Sequence, residues 1–283
     1  MRNVKLIKFD LHSHTTCSDG RLSPQALLDR AVEKGVDVLA ITDHDTLNAL
    51  PVARAYITEN DLPIRLISGV EISTTWANKD IHVVGLQVDE HCEALQARLA
   101  GQIEKRTARA KLIGERLERA GIVDAYQNAK RMAGDAAISR AHYAKYLIEL
   151  GKAKNFAGVF KKYMSRGKTG YVPSVWVEME DAIEWIHQAG GVAVLAHPSR
   201  YDLSAKWLKR LLNDFSKAGG DAMEVALSQQ APQARTLLGQ YAKDYNLLAS
   251  VGSDFHFPTN WCELGKNLYL SEHYLPVWHN WQI

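Results

Sequence analysis

Histidine, aspartate and glutamate side chains recur at the ends of short apolar segments along the whole chain. The first group is Asp10-Leu11-His12-Ser13-His14, and the last is Ser253-Asp254-Phe255-His256. Imidazole and carboxylate groups are common protein ligands of divalent transition metals. Because the groups follow several different apolar segments, we expect them to converge on one polynuclear metal site. The remaining members of the set are Asp19, Asp43, His44, Asp45, Glu71, His82 and His197.

The first histidine pair has the spacing expected of two ligands on one strand. Side chains alternate between the faces of a strand, so His12 and His14 project to the same face. Asp10 shares their parity and is predicted to orient a ligand from behind. Burial of the Glu71 carboxylate without a partner would cost free energy. Two cations bridged by this carboxylate would be its partners. Each motif alone is also compatible with solvated or structural residues, so the metal interpretation depends on their number.

Composition favours one large folded unit without a membrane span. The chain has 283 residues, of which 46% are hydrophobic, enough for one large core or a core with a small insert. We find no signal-peptide pattern and no apolar stretch long enough to cross a bilayer. Cys17, Cys92 and Cys262 form no CxxC pair and cannot all pair. This cysteine usage predicts a cytoplasmic protein with reduced thiols and no membrane association.

Charge is distributed unevenly along the chain. From Arg98 to Lys168 there are 17 lysines and arginines against 6 acidic residues, a net charge of +11. Since the whole chain carries +2, the remainder carries −9. An acidic body suits metal ions, and a basic middle suits a phosphorylated or polyanionic partner. Lysines and arginines also solvate helix faces, so this interpretation applies to the segment rather than to single residues.

Short β-rich segments alternate with helical patterns, which is typical of an α/β fold with a parallel sheet. In a closed (β/α) barrel, functional groups gather at the carboxyl ends of the strands, where most candidate ligands fall. We therefore predict a barrel of about seven or eight strands. An open doubly wound sheet is the alternative, although no glycine-rich phosphate turn follows the first strand. The predicted strands are 4–11, 36–41, 64–67, 81–86, 192–196, 223–225 and 247–251, and the predicted helices are 25–34, 51–60 and 180–188.

The middle of the chain interrupts this alternation. Residues 93–120 carry apolar side chains at helical spacing, and Gly121 ends the pattern. Shorter helical stretches follow around residues 141–150 and 156–164. We predict a basic helical insertion over residues 93–170 that caps the barrel mouth. The barrel itself would comprise residues 1–92 and 171–283.

Six motifs carry a resemblance to a known family: Asp-Leu-His-Ser-His, Ser-Asp-Gly, Ile-Thr-Asp-His-Asp, Gly-Val-Glu-Ile-Ser, Ala-His-Pro-Ser-Arg-Tyr and Gly-Ser-Asp-Phe-His. Together they resemble the PHP (polymerase and histidinol phosphatase) family over nearly the whole chain. Within it, the chain is most similar to the bacterial nucleoside-3′,5′-bisphosphate phosphatase, or ribonuclease AM, branch. That likeness includes the middle segment, at residues 139–144, 159–163 and 166–173.

The resemblance implies a distorted (β/α) barrel of about seven strands that holds three divalent metal ions, commonly manganese. It implies catalytic parts for Asp254, His197 and Arg140, with Asp254 both a ligand and an acceptor of the nucleophile's proton. Two departures, Thr15-Thr16-Cys17 and Ser199, remove no ligand. The implied ligands are His12, His14, Glu71 and Asp254 for one metal, Glu71, His82 and His197 for a second, and Asp19, His44 and His256 for a third.

The implied activity is hydrolysis of the 3′-phosphate of nucleoside 3′,5′-bisphosphates and stepwise 5′-to-3′ trimming of 5′-monophosphorylated RNA. Short RNAs and ribosomal RNA precursors would be substrates, and no obligate protein partner is expected. Arginine clamps oxyanions bidentately, so Arg140, with Ser139, is the first candidate to bind the second phosphate. A small-metabolite phosphatase of the histidinol-phosphate type and a non-catalytic nucleotide-binding module remain alternatives. Further candidate substrate ligands are Lys162, Arg166, Lys168, Tyr171 and Arg200.

Overall fold

The computed structural model describes residues 6–282 and contains a nearly closed sheet surrounded by helices. Its strands are β1 (Phe9–Asp10), β2 (Val38–Ile41), β3 (Arg65–Trp76), β4 (Lys79–Leu86), β5 (Val177–Glu178), β6 (Val192–Leu195), β7 (Ala222–Ala226) and β8 (Leu248–Val251). Its helices are α1 (Pro24–Glu33), α2 (Ala49–Asn60), α3 (Glu93–Arg119), α4 (Ala125–Ala133), α5 (Arg140–Glu149), α6 (Phe156–Val159), α7 (Met179–Gln188), α8 (Ala205–Lys217) and α9 (Pro232–Asp244). A π-helical turn (Phe160–Met164) extends α6, and a 3-10 turn (Pro198–Arg200) follows β6.

Seven strands follow one another around the sheet in the order β1-β2-β3-β4-β6-β7-β8, and β5 pairs with the far end of β3. The two ends of the sheet approach each other. The amide of Leu11 donates to the carbonyl oxygen of Val251 at 3.1 Å, and the amide of Asp254 donates to the carbonyl oxygen of His12 at 2.9 Å. The predicted distorted barrel of about seven strands is confirmed.

The predicted all-parallel arrangement is wrong at β4. This strand runs antiparallel to both β3 and β6. The cause is a two-residue turn, Ala77-Asn78, whose residues have φ of 47° and 59°, as a tight hairpin turn requires. Because β4 is reversed, its first residues lie at the same end of the barrel as the last residues of the parallel strands. His82, near the start of β4, therefore joins ligands that follow the ends of other strands.

Local sequence signals predicted the positions of several helices and strands to within a few residues. The Ser23 hydroxyl accepts a hydrogen bond from the amide of Ala26 at 3.2 Å, as predicted for an N-cap followed by proline. The predicted strand 4–11 is mostly wrong, since only Phe9 and Asp10 pair in the sheet; residues 4 and 5 lie outside the described part. Helices α4, α8 and α9 were not predicted from the sequence. On α8, Leu211, Leu212 and Phe215 are fully buried and form the apolar stripe that would have revealed the helix.

Helix α3 connects two hydrophobic clusters. Leu95 and Leu99, in its first half, pack in the main core of the barrel. Ile113 and Leu117, in its second half, pack with residues of α4, α5 and α6. The helical middle segment thus has a core of its own, fastened to the barrel through one long helix. Between residues 6 and 282, no helix combines the length and apolar character needed to cross a membrane.

Candidate metal centre

The nine predicted metal ligands lie together at the end of the barrel where the parallel strands terminate. The sheet itself sets their positions. An isolated bridge pairs His44 with Glu71, and another pairs Ser13 with Phe255, next to both ends of the ligand set. Within this cluster, three groups have donor atoms that all lie within 4.8 Å of one another. The groups are His14, Asp19, His44 and His256; His12, His14, Glu71 and Asp254; and His44, Glu71 and His82.

The carboxylate of Glu71 lies at the middle of the cluster and is fully buried. Its Oε1 atom lies 2.8 Å from His82 Nδ1 and 2.9 Å from His197 Nε2. Its Oε2 atom lies 3.0 Å from His44 Nδ1, 3.3 Å from His12 Nε2 and 3.2 Å from His14 Nε2. One carboxylate therefore contacts five imidazoles, an arrangement suited to bridging cations.

The donor atoms fit divalent metals. The Nε2 atoms of His12 and His14 lie only 3.1 Å apart, so two lone pairs or two N–H groups facing each other there would repel. Among the donor atoms of this cluster, four are buried without a hydrogen-bond partner: Asp19 Oδ1, His44 Nδ1, Glu71 Oε2 and His197 Nδ1. Buried polar atoms are normally paired, so each such atom needs an explanation. Imidazole nitrogens and carboxylate oxygens are a donor set that binds zinc, manganese or iron.

The carboxylates of the cluster are ionised. Burial opposes the charge of Glu71, but attraction to His44 and His82 outweighs burial and holds the pKa well below its usual range. Burial lowers the pKa of His14, yet hydrogen bonds to Asp254 and Glu71 raise that pKa to about 10. A cation must displace protons from such imidazoles. Metal affinity is therefore expected to rise with pH.

Two carboxylates outside the predicted ligand set support the cluster. Glu224, almost fully buried on β7, places Oε1 2.7 Å from His12 Nδ1, and its Oε2 accepts from the amide of His197. This contact fixes the His12 ring, which is the task predicted for Asp10. Asp10 instead accepts hydrogen bonds from the amides of Ser253, at 2.8 Å, and Gly265, at 2.9 Å. It therefore positions the backbone of two loops rather than a ligand side chain. Glu224 is the only acidic residue in the otherwise apolar strand β7, and this position could have identified it as a functional carboxylate.

Asp43 and Asp45, which flank His44, hydrogen-bond to the segments that surround the cluster. Asp43 Oδ1 accepts from the amide of Thr15 at 2.7 Å, and Oδ2 accepts from the Thr15 hydroxyl at 2.6 Å. Asp45 Oδ2 accepts from Arg106 Nε and Nη2 at 3.1 and 2.5 Å, while Oδ1 accepts from the amide of Ser73 at 2.8 Å. Neither residue is one of the grouped donors.

We expect Asp45→Ala to lower the free energy of unfolding by about 3–5 kcal/mol, because it leaves the buried Arg106 guanidinium without its carboxylate. Urea denaturation followed by circular dichroism would measure the change. Glu149→Ala is the matched control, since it removes the exposed partner of Arg131 and should cost no more than about 1 kcal/mol. Equal losses in the two variants would show that the buried pair does not fasten α3 to the barrel.

Two cavities flank the ligand cluster, and Asp19 lines both of them. The first, of about 140 Å³, is lined by Arg106, Arg109 and Arg140 of the helical middle segment. The second, of about 350 Å³, contains Lys145 and Arg200. Both cavities are lined by Ala141 at the start of α5, so the amino end of this helix lies between them.

Three of the seven predicted substrate residues line a cavity beside the cluster, and the other four do not. Ser139 and Arg140 line the first cavity, where the Ser139 hydroxyl donates to Asp19 Oδ2 at 3.2 Å. Arg200 lines the second cavity and forms an ion pair with Asp254. The structure does not bring the others to the cluster. Lys162, Arg166 and Lys168 are exposed, and Tyr171 is half-buried; none of the four lines either cavity.

The sequence analysis missed Arg106 and Arg109. Both are buried on α3, and both guanidinium groups lie over the Trp176 ring, at 5.0 and 5.4 Å from its centroid. Burial and the nearby charge of Arg140 lower the pKa of Arg109 to about 10. Arg106 and Arg109 occupy positions where the apolar stripe of α3 would otherwise continue. Polar residues at such positions are the signal that could have identified them.

Comparisons with known proteins agree with this geometry. The family model described as PHP domain matches residues 10–195. A 5′-3′ exoribonuclease Rnm of Salmonella typhimurium is 55% identical over 274 residues, which cover 97% of this chain and 94% of that protein. A 3′,5′-nucleoside bisphosphate phosphatase of Chromobacterium violaceum is 40% identical, with 89% and 88% coverage. A solved structure of a Chromobacterium violaceum amidohydrolase with bound sulfate and no metal has a TM-score of 0.89 and 39% identity, and the match covers 96% of this chain and 94% of that chain.

Proposed function

This chain belongs to the PHP domain family, and from that premise we propose that it is a metal-dependent phosphoesterase acting on nucleotides. It removes the 3′-phosphate of nucleoside 3′,5′-bisphosphates and, as a 5′-to-3′ exoribonuclease, trims RNA with a 5′-monophosphate. The observation that carries the proposal is the position of an arginine-lined cavity directly beside the ligand cluster. The names of two relatives, an exoribonuclease and a bisphosphate phosphatase, agree with it.

We assign three divalent metal ions to the cluster and, in view of the family likeness, propose that they are manganese. When bound, these ions supply Lewis acidity toward phosphate oxygens and activate water near neutral pH. Glu71 contacts imidazoles through both of its oxygens and is assigned to two of the metals. The assignments are His12, His14, Glu71 and Asp254; Glu71, His82 and His197; and Asp19, His44 and His256.

The first cavity suits the 5′-phosphate of the substrate. Three guanidinium groups face it, while the carboxylates that pair with them are Asp45 for Arg106 and Asp80 for Arg140. Arg109 donates to the carbonyl oxygen of Val172, at 3.1 and 2.9 Å, and forms no ion pair with a carboxylate of residues 6–282. The amino end of α5, capped by Ser139, adds the partial positive charge of a helix terminus. A second phosphate would therefore find compensating charge at this side of the cluster.

Asp254 and Arg200 are placed to act at the reacting phosphate. Attraction to His12 and other cations outweighs burial and keeps the pKa of Asp254 well below its usual range, so the carboxylate is ionised and suited to hold a cation. Its proposed part as acceptor of the attacking water's proton rests on its position in the lining of the second cavity. Arg200, paired with Asp254, lines the second cavity and can neutralise charge on a phosphate oxygen. His197 is held by Glu224 through its backbone amide and contacts Glu71 through its ring.

The helical segment 93–170 is proposed to cap the site and to select nucleotides. It supplies Arg106, Arg109 and Arg140 to the first cavity, and Lys145 to the second. A small monophosphate such as histidinol phosphate has no second phosphate to use this charge. A cytoplasmic location is also proposed, because Cys17, Cys92 and Cys262 are all free. We propose no obligate protein partner.

The decisive experiment measures phosphate release from adenosine 3′,5′-bisphosphate with manganese, beside histidinol phosphate and a short 5′-phosphorylated RNA. We expect fast turnover of the bisphosphate, shortening of the RNA from its 5′ end, and loss of both activities with a chelator. RNA trimming should weaken as salt rises, because phosphate contacts release counterions. Turnover of histidinol phosphate alone would retain the metal site and reject the nucleotide assignment. Nucleotide binding without turnover would indicate a non-catalytic module.

A further inference from the structure

A third cavity continues from the second one, away from the ligand cluster. It has a volume of about 540 Å³ and includes Trp261 and Lys266 in its lining. Gln229 lines both the second and the third cavity. The loop of residues 257–262 also runs along both, with Phe257 and Thr259 in the second cavity and Trp261 in the third. A continuous surface therefore leads from Asp254 and His256 to Trp261.

Trp261 presents its ring to solvent at the far end of this surface. Its exposed fraction is 74%, high for a residue type that is usually well buried. In the described part of the chain, no aromatic ring and no cation stacks on it. The loop beneath it is held in shape, since the Thr259 hydroxyl accepts from the amides of Trp261, at 3.2 Å, and Cys262, at 2.8 Å. The backbone that carries the ring is thus fixed, and the ring offers a flat exposed face.

The charge along this surface favours a polyanion. The carboxylates that line the second and third cavities are Asp19 and Asp254, and both belong to the metal cluster. The cations are Lys145 and Arg200 in the second cavity and Lys266 in the third. Beyond the cluster, the surface combines positive charge and aromatic rings, which is the combination that binds single-stranded nucleic acid.

We propose that the second and third cavities receive the 3′ portion of an RNA substrate, with a downstream base stacked on Trp261. This inference rests on the proposed function and adds the polarity of the substrate. The 5′-phosphate occupies the first cavity, which at about 140 Å³ is below the usual size of pockets that enclose whole ligands. The remaining nucleotides then follow the second cavity, which lies across the amino end of α5 from the first, along Lys145, Phe257 and Trp261. Stacking tolerates any base, so the surface suits a nuclease that advances along its substrate.

The test compares Trp261→Ala with the wild-type enzyme on 5′-phosphorylated RNAs of increasing length, in the presence of manganese. In the wild type, KM should fall as the RNA becomes long enough to reach Trp261. In Trp261→Ala, KM for the longest RNA should rise about five- to thirtyfold, and the dependence on length should largely disappear. Trp261→Phe, which keeps an aromatic face, should restore most of it. Trp207→Ala, at a tryptophan on α8 outside the three cavities, is the control and should keep the wild-type dependence.

The outcomes separate this inference from the proposed function. A wild-type enzyme that releases phosphate from the bisphosphate and trims RNA, with Trp261→Ala showing the same dependence of KM on RNA length, would overturn the inference alone. A wild-type enzyme that turns over neither substrate would overturn the proposed function, and the inference with it. If Trp261→Ala changes kcat alone, at every RNA length, the residue affects the chemistry and the proposed stacking role is wrong.

Discussion

Glu71→Gln is expected to lower kcat/KM for a nucleoside 3′,5′-bisphosphate by about a thousandfold or more. The substitution keeps the shape of the side chain but removes its charge. It also replaces one carboxylate oxygen with an amide NH₂ group, which cannot bind a cation. Glu71 contacts five imidazoles and belongs to the proposed ligand sets of two metals. Bound manganese should therefore fall by about two ions per chain. Steady-state kinetics and elemental analysis of the dialysed protein measure the two effects.

Glu90→Gln is the matched control for this substitution. Glu90 is also largely buried and paired, through Arg54 at 2.6 Å, but it contacts none of the grouped donors. It should retain the metal content and the activity of the wild type. A Glu71→Gln enzyme with full manganese content and undiminished kcat/KM would contradict the assignment of Glu71 as a bridging ligand. Circular dichroism of both variants would separate loss of metal from loss of fold.

The clustering of the candidate ligands could be predicted from sequence because the signals for it are local. Each motif places imidazole or carboxylate next to the end of an apolar segment, and parallel strands bring such ends to one edge. The direction of β4 could not be predicted in this way. His82 was found as a candidate ligand, but the turn at Ala77-Asn78 gave no glycine to indicate a hairpin.

Backbone conformation at the site was also outside the reach of sequence patterns. His197 and Asp254 have φ of 31° and 51°, and Asp45 has φ of 54°. Residues other than glycine adopt such values rarely, and the strain is tolerated where the surrounding structure imposes it. Here Glu224 holds the amide of His197, and the carbonyl oxygen of His12 holds the amide of Asp254. Contacts between residues far apart in the chain fix these conformations, so a local pattern does not contain them.

Substrate residues were the least predictable part of the site. The basic middle segment carries 17 lysines and arginines, and periodicity does not say which of them face the cluster. Arg140 follows the N-cap of α5 and lies at the first cavity, whereas Lys162 and Lys168 are exposed on the surface of the helical middle segment. Arg106 and Arg109, which the sequence did not single out, lie on the buried face of α3, where helical periodicity predicts apolar residues.

The proposed phosphate-binding role of Arg140 gives the second large expected effect. Arg140→Ala should lower kcat/KM for the 3′,5′-bisphosphate by about tenfold to a hundredfold, as loss of a hydrogen bond between charged groups predicts. Its guanidinium is 34% exposed and only loosely paired with Asp80, at 3.4 Å, so it is free to turn toward a ligand. The effect should depend on the 5′-phosphate. For a nucleoside 3′-monophosphate, which lacks that group, the same substitution should change kcat/KM much less.

The ratio of the two kcat/KM values measures the interaction directly, because effects on the metal cluster cancel in it. Arg140→Lys should recover part of the preference, since lysine keeps the charge but not the planar, bidentate geometry. Arg131→Ala, which removes an exposed arginine of α4 paired with Glu149, should leave the preference unchanged. If Arg140→Ala lowers kcat/KM equally for both substrates, Arg140 does not read the 5′-phosphate. Arg106 and Arg109, already buried beside the first cavity, would then be the groups that distinguish a bisphosphate from a monophosphate.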